Sequence, residues 1–340
     1  MTRTKTTWTA ALAGLALAAS AGAAFAQQAA PNAAIPNALN AIRPNEIQQA
    51  QQQNPQVIEQ FGGTVDPRLN GYVAAVGRKI AAQTGVSGGT GAFTVTVLNS
   101  PVRNAFSVPG GYVYVTRELL AMMNDEAELG FVLGHEMGHV VARHSQSRQT
   151  RSTISSIGAA LAGIVSGSDL VGQLAGTVGQ GLVLGYSRSQ ENEADKLGVR
   201  FAARAGYDAF AAPRILGGLG QGEAYDSLEG GTAATAPSWT RSHPLSQDRV
   251  VRTTALARQL PAPGTVASHN REQYLSAIES MRYGDDPQQG VVEGNRFLHP
   301  GLRLAFTAPS GYTLQNGASE VQIAGKGGRR HSVRASSRAT

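Results

Sequence analysis

A histidine pair four residues apart in an apolar segment constrains this 340-residue chain more than any other feature. The motif HEMGH at residues 135–139 follows the apolar residues 131–133 and precedes two valines. On a helix, residues four apart lie one turn apart on the same face, so both imidazoles can reach one ion at about 2.0–2.1 Å. Buried imidazoles and a buried carboxylate are costly unless they are paired or bound to a metal. The motif therefore predicts a buried helix that carries a metal site.

The glutamate between the two histidines predicts what the metal does. Glu136 projects about 100° away from His135 around the helix, which makes it a poor ligand but allows it to take a proton from a metal-bound water. Zinc peptidases need this arrangement, because zinc lowers the pKa of its water to about 7 and the carboxylate then acts as general base. We therefore predict a zinc-dependent endopeptidase with His135 and His139 as ligands and Glu136 as catalytic base.

The absence of cysteine limits the residue types that can complete the site. Disulfides, zinc–thiolate sites and cysteine nucleophiles are excluded, so the third zinc ligand must be His, Asp or Glu. The pattern HExxHxxGxxH requires a histidine ten residues after the first, but position 145 is Ser, position 142 is Ala and His144 is one residue out of register. That pattern fails, and His144 is interpreted as an ordinary residue at the helix end.

A carboxylate on a downstream helix is the remaining source of a third ligand. Glu191 and Asp195 are four residues apart and share a helix face, so one can bind zinc while the other holds a ligand histidine by its second ring nitrogen. We assign Glu191 to the zinc and Asp195 to the histidine, with Glu193 solvated or ion-paired. The alternative is the acidic start of a surface helix, which the helix dipole favours; it would be preferred only without the upstream motif.

Four segments of the chain resemble one family of enzymes. HEMGHVVARH at 135–144 and SRSQENEAD at 187–195 are similar to the gluzincin metallopeptidases of the HtpX and CAAX-prenyl-protease type, metallopeptidase family forty-eight. NAFSVPGG at 104–111 resembles the edge-strand segment of that family, and SHP at 242–244, followed by Arg249, resembles its downstream His-Pro motif.

The resemblance extends over roughly residues 60–260 and carries expectations for the whole site. It implies a zincin-type catalytic domain, one Zn²⁺ per chain, Glu191 as third ligand and Asp195 beside a ligand histidine. Because the sequence lacks multiple transmembrane segments, it resembles the soluble periplasmic branch, whose members act in envelope protein quality control. Unfolded or misfolded polypeptides are then the expected substrates, and envelope assembly machinery is a candidate partner. Some members carry a helical-repeat domain after the catalytic domain, and no such repeat is seen in this sequence.

Two further segments are assigned to the reaction. The run Ala105-Phe106-Ser107-Val108 is a candidate for binding substrate as an added strand, a mode that favours extended polypeptide; the alternative is a plain sheet strand. His243 is assigned to stabilising the oxyanion, which is typically worth about 3–4 kcal/mol. Two other roles stay open for His243: a fourth zinc ligand that closes a resting site, and a helix-capping histidine before a proline.

Residues 1–26 are predicted to be a cleavable signal peptide. Arg3 and Lys5 precede the apolar run 8–19, and the Ala-Phe-Ala sequence at 24–26 is a typical cleavage site. The apolar run is shorter than the ~20 residues that span a bilayer, which argues against a membrane anchor. We therefore expect export to the periplasm, with at most peripheral membrane contact.

The net charge of +6 does not indicate a nucleic-acid partner. Seven of the 29 basic residues lie at the two ends of the chain: Arg3, Lys5, Lys326, Arg329, Arg330, Arg334 and Arg338. The rest of the chain has 22 basic against 23 acidic residues and is close to neutral. We predict no binding to nucleic acid.

The predicted fold is α+β and mainly helical, with a small β-sheet and a short β-rich C-terminal extension. Strands are expected at 93–97, 105–108 and 112–115 and helices from 66, at 125 to about 149, 190–204, 209–220, 246–259 and 268–282. The predicted domains are a flexible Ala/Gln/Pro-rich linker at 27–60, a peptidase domain at 61–260, a C-terminal helix and β-rich extension at 261–324, and a disordered basic tail at 325–340.

Two other functions compete with proteolysis. A zinc-containing chaperone would bind unfolded envelope proteins and rarely cut them, and a hydrolase of another amide would act on a substrate such as peptidoglycan. Glu136 argues against a purely structural metal, because a structural site does not need it. No segment resembles a glycan-binding groove, which places the peptidoglycan hypothesis last.

Overall fold

The computed structural model describes residues 38–145, 186–228, 239–260, 267–316, 320–325 and 330–334. The predicted signal peptide lies outside the described residues, as do the start of the predicted linker, nearly all of the Gly/Ala-rich run 154–186 and the last residues of the basic tail. Within the described part of the chain, no helix combines the length and apolar character needed to cross a membrane.

The α+β class predicted from the sequence is confirmed. The helices are α1 Pro44–Gln60, α2 Pro67–Ala81, α3 Arg117–Leu120, α4 Glu126–Val141, α5 Arg188–Arg204, α6 Ala211–Leu228, α7 Trp239–Ser242, α8 Gln247–Gln259 and α9 Arg271–Ile278. The strands are β1 Thr94–Leu98, β2 Ala105–Val108, β3 Tyr112–Thr116, β4 Val291–Glu293, β5 Arg296–His299, β6 Leu304–Thr307, β7 Tyr312–Asn316, β8 Glu320–Gly325 and β9 Arg330–Arg334.

The sheet beside the predicted active site has the strand order β1-β3-β2, so β2 lies at an edge. β1 pairs with β3 in parallel, and β2 pairs with β3 antiparallel, with Ala105 opposite Val115 and Val108 opposite Tyr112. Helix α4 packs against this sheet, and every residue from Glu126 to Val141 is buried. A helix surrounded on all sides belongs to the centre of the core, which is where the HEMGH motif lies.

Glycines set the distance between α4 and α5. A Cβ atom added to Gly198 of α5 would lie 2.9 Å from the backbone nitrogen of His135, and one added to Gly134 of α4 would lie 3.1 Å from the carbonyl oxygen of Gly198. The two helix backbones therefore approach more closely than larger residues permit. This approach brings the carboxylates of Glu191 and Asp195 to the histidines of α4.

The linker predicted at 27–60 is wrong over its last part, because residues 44–60 form α1. Proline occupies the first turn, and the Glu46 carboxylate accepts a hydrogen bond from the Arg43 nitrogen at 3.1 Å. Ala50 is buried against the turn at Gly110, where an added Cβ would meet the alanine Cβ at 2.9 Å. A composition typical of linkers thus forms a helix, because its apolar positions find a surface to cover.

Several other boundaries also differ from the sequence prediction. Helix α4 ends at Val141 rather than near residue 149, and α5 begins after Ser187 rather than Ser189. Ser187 Oγ accepts from the Gln190 nitrogen while the Gln190 side chain accepts from the Ser187 nitrogen, which is a complete capping box.

The C-terminal part contains two antiparallel sheets, β4-β5-β6 and β7-β8-β9. A small separate core forms from Phe297, Ala308, Leu314 and Val321. Strand β9 lies inside the tail predicted to be disordered, and it pairs with β8 from Glu320–Arg334 to Ala324–Arg330. The predicted β-rich extension is therefore present and reaches further along the chain than expected.

We expect Gly198→Ala to lower the free energy of unfolding by about 1–3 kcal/mol, because the new methyl group forces α4 and α5 apart. Chemical denaturation of the metal-free protein measures this change. Gly71→Ala is the matched control, since an added Cβ at Gly71 of α2 meets nothing within 4 Å. That control should be neutral or stabilising by up to about 1 kcal/mol; equal destabilisation by both changes would contradict the close-approach argument.

Candidate metal centre

Two helices and a downstream segment bring four side chains to one buried point. His135 and His139 come from α4, Glu191 from the first turn of α5, and His243 from the residue after α7. The donor atoms of all four residues lie within 4.8 Å of one another, and no residue of the group is more than 2% exposed. The sequence prediction had placed the first three in one site and left the role of the fourth open.

The distances within this group resemble those between ligands of a single ion. His135 Nε2 lies 3.0 Å from His139 Nε2 and 3.5 Å from Glu191 Oε2, and His139 Nε2 lies 3.6 Å from Glu191 Oε1. His243 Nδ1 lies 3.2 Å from His135 Nε2 and 3.0 Å from Glu191 Oε1. Ligands at about 2.0–2.1 Å in a tetrahedron are separated by about 3.3–3.4 Å.

The chemistry of the donors also fits a metal cation. Glu191 Oε2 is buried and accepts no hydrogen bond from the described residues, although Arg249 Nη1 lies 3.0 Å away. Convergent lone pairs of imidazole and carboxylate are costly in a buried site unless a cation binds them. Imidazole with carboxylate and no thiolate is a donor set that zinc accepts. The residues therefore fit the predicted metal.

Asp195 lies beside the metal-binding group and is held by an arginine. Arg249 donates to both carboxylate oxygens, at 2.8 and 2.7 Å, and His135 Nδ1 lies 3.0 Å from Oδ1 in a contact poorly aligned for a hydrogen bond. Burial works to raise the pKa of Asp195, but the hydrogen bonds from Arg249 outweigh it and hold that pKa at about 2. Asp195 is thus an anion next to His135, and its predicted role of holding a metal ligand stays a prediction.

At the other two carboxylates of the site, Glu191 and Glu136, burial is not outweighed and the pKa is raised. It raises the pKa of Glu191, and neither His135 nor Arg249 reverses the change. It also raises the pKa of Glu136, although the charge of His243 and the Trp239 N–H oppose it. A cation at the group would favour both ionised forms, since opposite charge lowers a carboxyl pKa.

Three neighbours contact the Glu136 carboxylate. Trp239 Nε1 donates to Oε1 at 3.1 Å, Ser107 Oγ donates to Oε2 at 3.3 Å, and His243 Nε2 lies 3.3 Å from Oε1. Trp239 is completely buried and stacks on His243, with ring centroids 4.9 Å apart. Sequence reasoning missed this tryptophan, whose one signal is its position four residues before His243.

Strand β2 lies next to Glu136, as the substrate-binding assignment of Ala105, Phe106, Ser107 and Val108 requires. The Ser107 hydroxyl donates to the Glu136 carbonyl oxygen at 2.9 Å and so ties the strand to α4. Phe106 points into an aromatic cluster, with ring centroids 5.3 Å from Phe61 and 4.9 Å from Tyr114. The Ser107 hydrogen bond to α4 and the packing of Phe106 in the aromatic cluster together position β2.

His144 differs from its sequence interpretation. Rather than an ordinary residue at the helix end, it is buried with its Nδ1 atom 2.8 Å from His139 Nδ1. Glu193, predicted to be solvated or ion-paired, lies with Oε2 3.2 Å from His144 Nε2. Burial lowers the pKa of His144, and the hydrogen bond with Glu193 opposes that change.

Comparison with known proteins agrees with this site. A family model described as "Peptidase family M48" matches residues 67–257. A Vibrio cholerae protein named provisionally as a beta-barrel assembly-enhancing protease is 31% identical over 219 residues, which is 60% of this chain and 42% of that protein. The mitochondrial metalloendopeptidase OMA1 of Schizosaccharomyces pombe is 33% identical over 211 residues, 60% of this chain and 59% of its own.

A third relative extends the comparison further along the chain. The beta-barrel assembly-enhancing protease of Yersinia pestis is 28% identical over 264 residues, covering 74% of this chain and 51% of that protein. The chain thus spans about half the length of these curated relatives.

We expect Arg249→Met to destabilise the metal-free protein by about 3–5 kcal/mol, because it leaves Asp195 buried without its charge partner. Urea denaturation at neutral pH measures the change. Arg252→Met on the same helix is the control: its pair with Asp248 is exposed, and such pairs contribute about 0.3–0.5 kcal/mol. Equal destabilisation by the two changes would contradict the assignment of Arg249 as the charge partner of Asp195.

The same variant should respond to pH in a defined direction. The pKa of Asp195 falls from 3.8 to about 2 on folding. The ionised Asp195 therefore stabilises the folded protein above pH 3.8, and this contribution is lost as the pH falls toward 2. The difference between wild type and Arg249→Met should therefore shrink over that interval. A difference that stays constant would show that Asp195 is not the group affected.

Proposed function

The chain belongs to peptidase family M48, and on that premise we propose that it is a zinc-dependent endopeptidase that hydrolyses internal peptide bonds of unfolded or misassembled envelope proteins. The observation that carries the proposal is the convergence of His135, His139 and Glu191 on one point, with the Glu136 carboxylate beside it. A metal site without catalysis has no need of that additional carboxylate.

Zinc, when bound by His135, His139 and Glu191, supplies a Lewis acid that polarises the scissile carbonyl and acidifies a water to a pKa of about 7. Glu136 takes the proton of the attacking water and later returns it to the leaving amine. Burial raises the pKa of Glu136, and a cation at the group would oppose that change by favouring the ionised form that a base requires. Trp239 orients the carboxylate through Oε1, and Ser107 Oγ lies 3.3 Å from Oε2.

Strand β2 is the proposed binding site for substrate. An edge strand that is hydrogen-bonded on one side offers backbone groups to an extended peptide on the other. Ser107 fixes this strand against α4, so a peptide added to the strand takes a defined position relative to Glu136. Backbone pairing selects polypeptides that are locally unfolded, and the names of the Vibrio and Yersinia relatives support envelope proteins as substrates and envelope assembly machinery as a partner.

The periplasm is the proposed location, and it rests on the signal peptide predicted at residues 1–26. His243 is proposed as a fourth ligand in the described conformation, because its Nδ1 atom lies 3.0 Å from Glu191 Oε1 and 3.2 Å from His135 Nε2. A catalytic zinc needs one open position for water. With zinc bound, His243 would have to give up this position before a water could occupy it.

We expect Glu136→Gln to reduce cleavage of casein by about 10²–10⁴-fold while zinc content stays at one per chain. The change removes the proton acceptor and keeps the size of the side chain. Glu272→Gln, on the exposed face of α9, is the matched control and should cleave like the wild type. Full activity in Glu136→Gln would refute the assignment; a zinc-loaded wild type that holds casein without cutting it would favour the chaperone hypothesis.

His243→Ala separates the two active roles of this histidine. As a fourth ligand, its loss weakens zinc binding and leaves casein cleavage unchanged or faster, because the open position becomes available. As an oxyanion donor, its loss lowers cleavage about 10²–10³-fold without affecting zinc affinity. We expect the first result, measured by chelator competition and casein cleavage on the same preparation; the second would overturn the fourth-ligand assignment.

A further inference from the structure

The chain reverses immediately after α4 and returns a histidine to the site. Ala142 ends the helix, and Arg143 adopts φ 55°, a left-handed conformation that is uncommon outside glycine. His144 consequently folds back toward His139 instead of continuing away from it, and only 4% of its surface is exposed.

The reversal is held in place by contacts of the strained residue itself. A non-glycine residue in this region is strained and persists only where its surroundings determine it. The Arg143 guanidinium donates to Glu46 Oε1 of α1 at 2.6 Å and to the carbonyl oxygen of Ala41. The position of His144 is thus fixed by contacts with α1.

The direction of the hydrogen bonds follows from the face of His139 that meets the other ligands. Its Nε2 atom points at His135 Nε2 and Glu191, so that nitrogen must carry a lone pair to bind a cation, and the proton resides on Nδ1. This Nδ1–H donates to His144 Nδ1 at 2.8 Å. The proton of His144 is then on Nε2, where it donates to Glu193 Oε2 at 3.2 Å.

Helix α5 supports this chain of contacts at two points. Glu193 accepts from the His144 ring, and the Gln190 side chain donates to the His144 carbonyl oxygen at 3.3 Å. Tyr186, just before the helix, stacks on the His139 ring with centroids 3.6 Å apart. The His139 ring is therefore restrained within its plane by His144 and covered on one face by Tyr186.

We propose that His144 is a positioning residue for the metal ligand His139: it accepts the Nδ1–H of His139 and donates its own Nε2–H to Glu193, which fixes the tautomer and ring orientation that direct the His139 Nε2 lone pair at the cation. The proposal rests on the proposed function, since it takes His139 as a metal ligand. Outer hydrogen bonds of this kind raise metal affinity typically about 10–100-fold.

The two ligand histidines are thus supported by different means. His135 Nδ1 lies 3.0 Å from Asp195, an anion buried with Arg249, whereas His139 Nδ1 lies 2.8 Å from the neutral imidazole of His144, whose own partner, Glu193, has 61% of its side chain exposed. A further buried carboxylate beside Glu136, Glu191 and Asp195 would add like-charge repulsion to the desolvation of each. A histidine supplies the acceptor without that cost.

The test is the zinc dissociation constant of the full chain, measured by competition with a chromophoric chelator. We expect His144→Leu to weaken zinc binding about 10–100-fold. His144→Asn should recover most of that loss, because its amide oxygen can accept near the former Nδ1 position. His331→Leu, an exposed histidine of β9, controls for adventitious zinc binding and should match the wild type.

The melting temperature of each metal-free variant distinguishes positioning from a merely structural role. Weakened zinc binding in His144→Leu, with rescue in His144→Asn and unchanged metal-free melting, supports the proposal. Unchanged zinc affinity in His144→Leu overturns it, and so does an equal loss in both variants that follows a lower melting temperature. A wild type that binds no zinc overturns the proposed function as well, so the two failures are distinguishable.

Discussion

The structure depends on one contact, the close approach of α4 and α5 at Gly134 and Gly198. Helix α4 carries the imidazoles and α5 carries the carboxylates, and both sets are buried by the contact that brings them together. Neither set is stable in a dry interior without the other, because buried polar and charged groups require partners. Packing and the geometry of the candidate site are therefore not separate properties of this fold: the glycines that allow the helices to meet also set the distances between the donor atoms of the four-residue group.

Within α5, the arginine decides which carboxylate is available to a cation. Glu191 and Asp195 share a helix face and are almost equally buried, yet their pKa values move in opposite directions. The difference lies in Arg249, which donates two short hydrogen bonds to Asp195 and only approaches Glu191 Oε2 without a hydrogen bond. Asp195 is thus compensated by the protein alone. Glu191 Oε2 has Arg249 Nη1 3.0 Å away but accepts no hydrogen bond, and it faces His135 at 3.5 Å, which suits the ligand role predicted for Glu191.

The sequence predicts those parts of the site that depend on local spacing. His135, His139, Glu191 and Asp195 follow from residues four apart on helices, because that geometry is the same in every helix. The position of His144 could not be predicted in this way, since it depends on a left-handed Arg143 that carries no glycine signal. The contact between Trp239 and Glu136 is equally invisible, because 103 residues separate the two in the chain. Helix α1 was missed for a related reason: its composition fits a linker as well as a helix until tertiary contacts are known.

The short helix α7 links two features of the site that are chemically distinct. Its first residue, Trp239, donates to the carboxylate that would act as base, and the residue after its end, His243, fills the fourth position of the ligand group. The helix is one turn long, and its ends are joined by the hydrogen bond from the His243 nitrogen to the Trp239 carbonyl at 2.7 Å. The backbones of the two residues are therefore joined within one turn. A displacement of this turn as a whole would therefore move His243 away from the ligand group and Trp239 away from the Glu136 carboxylate at the same time.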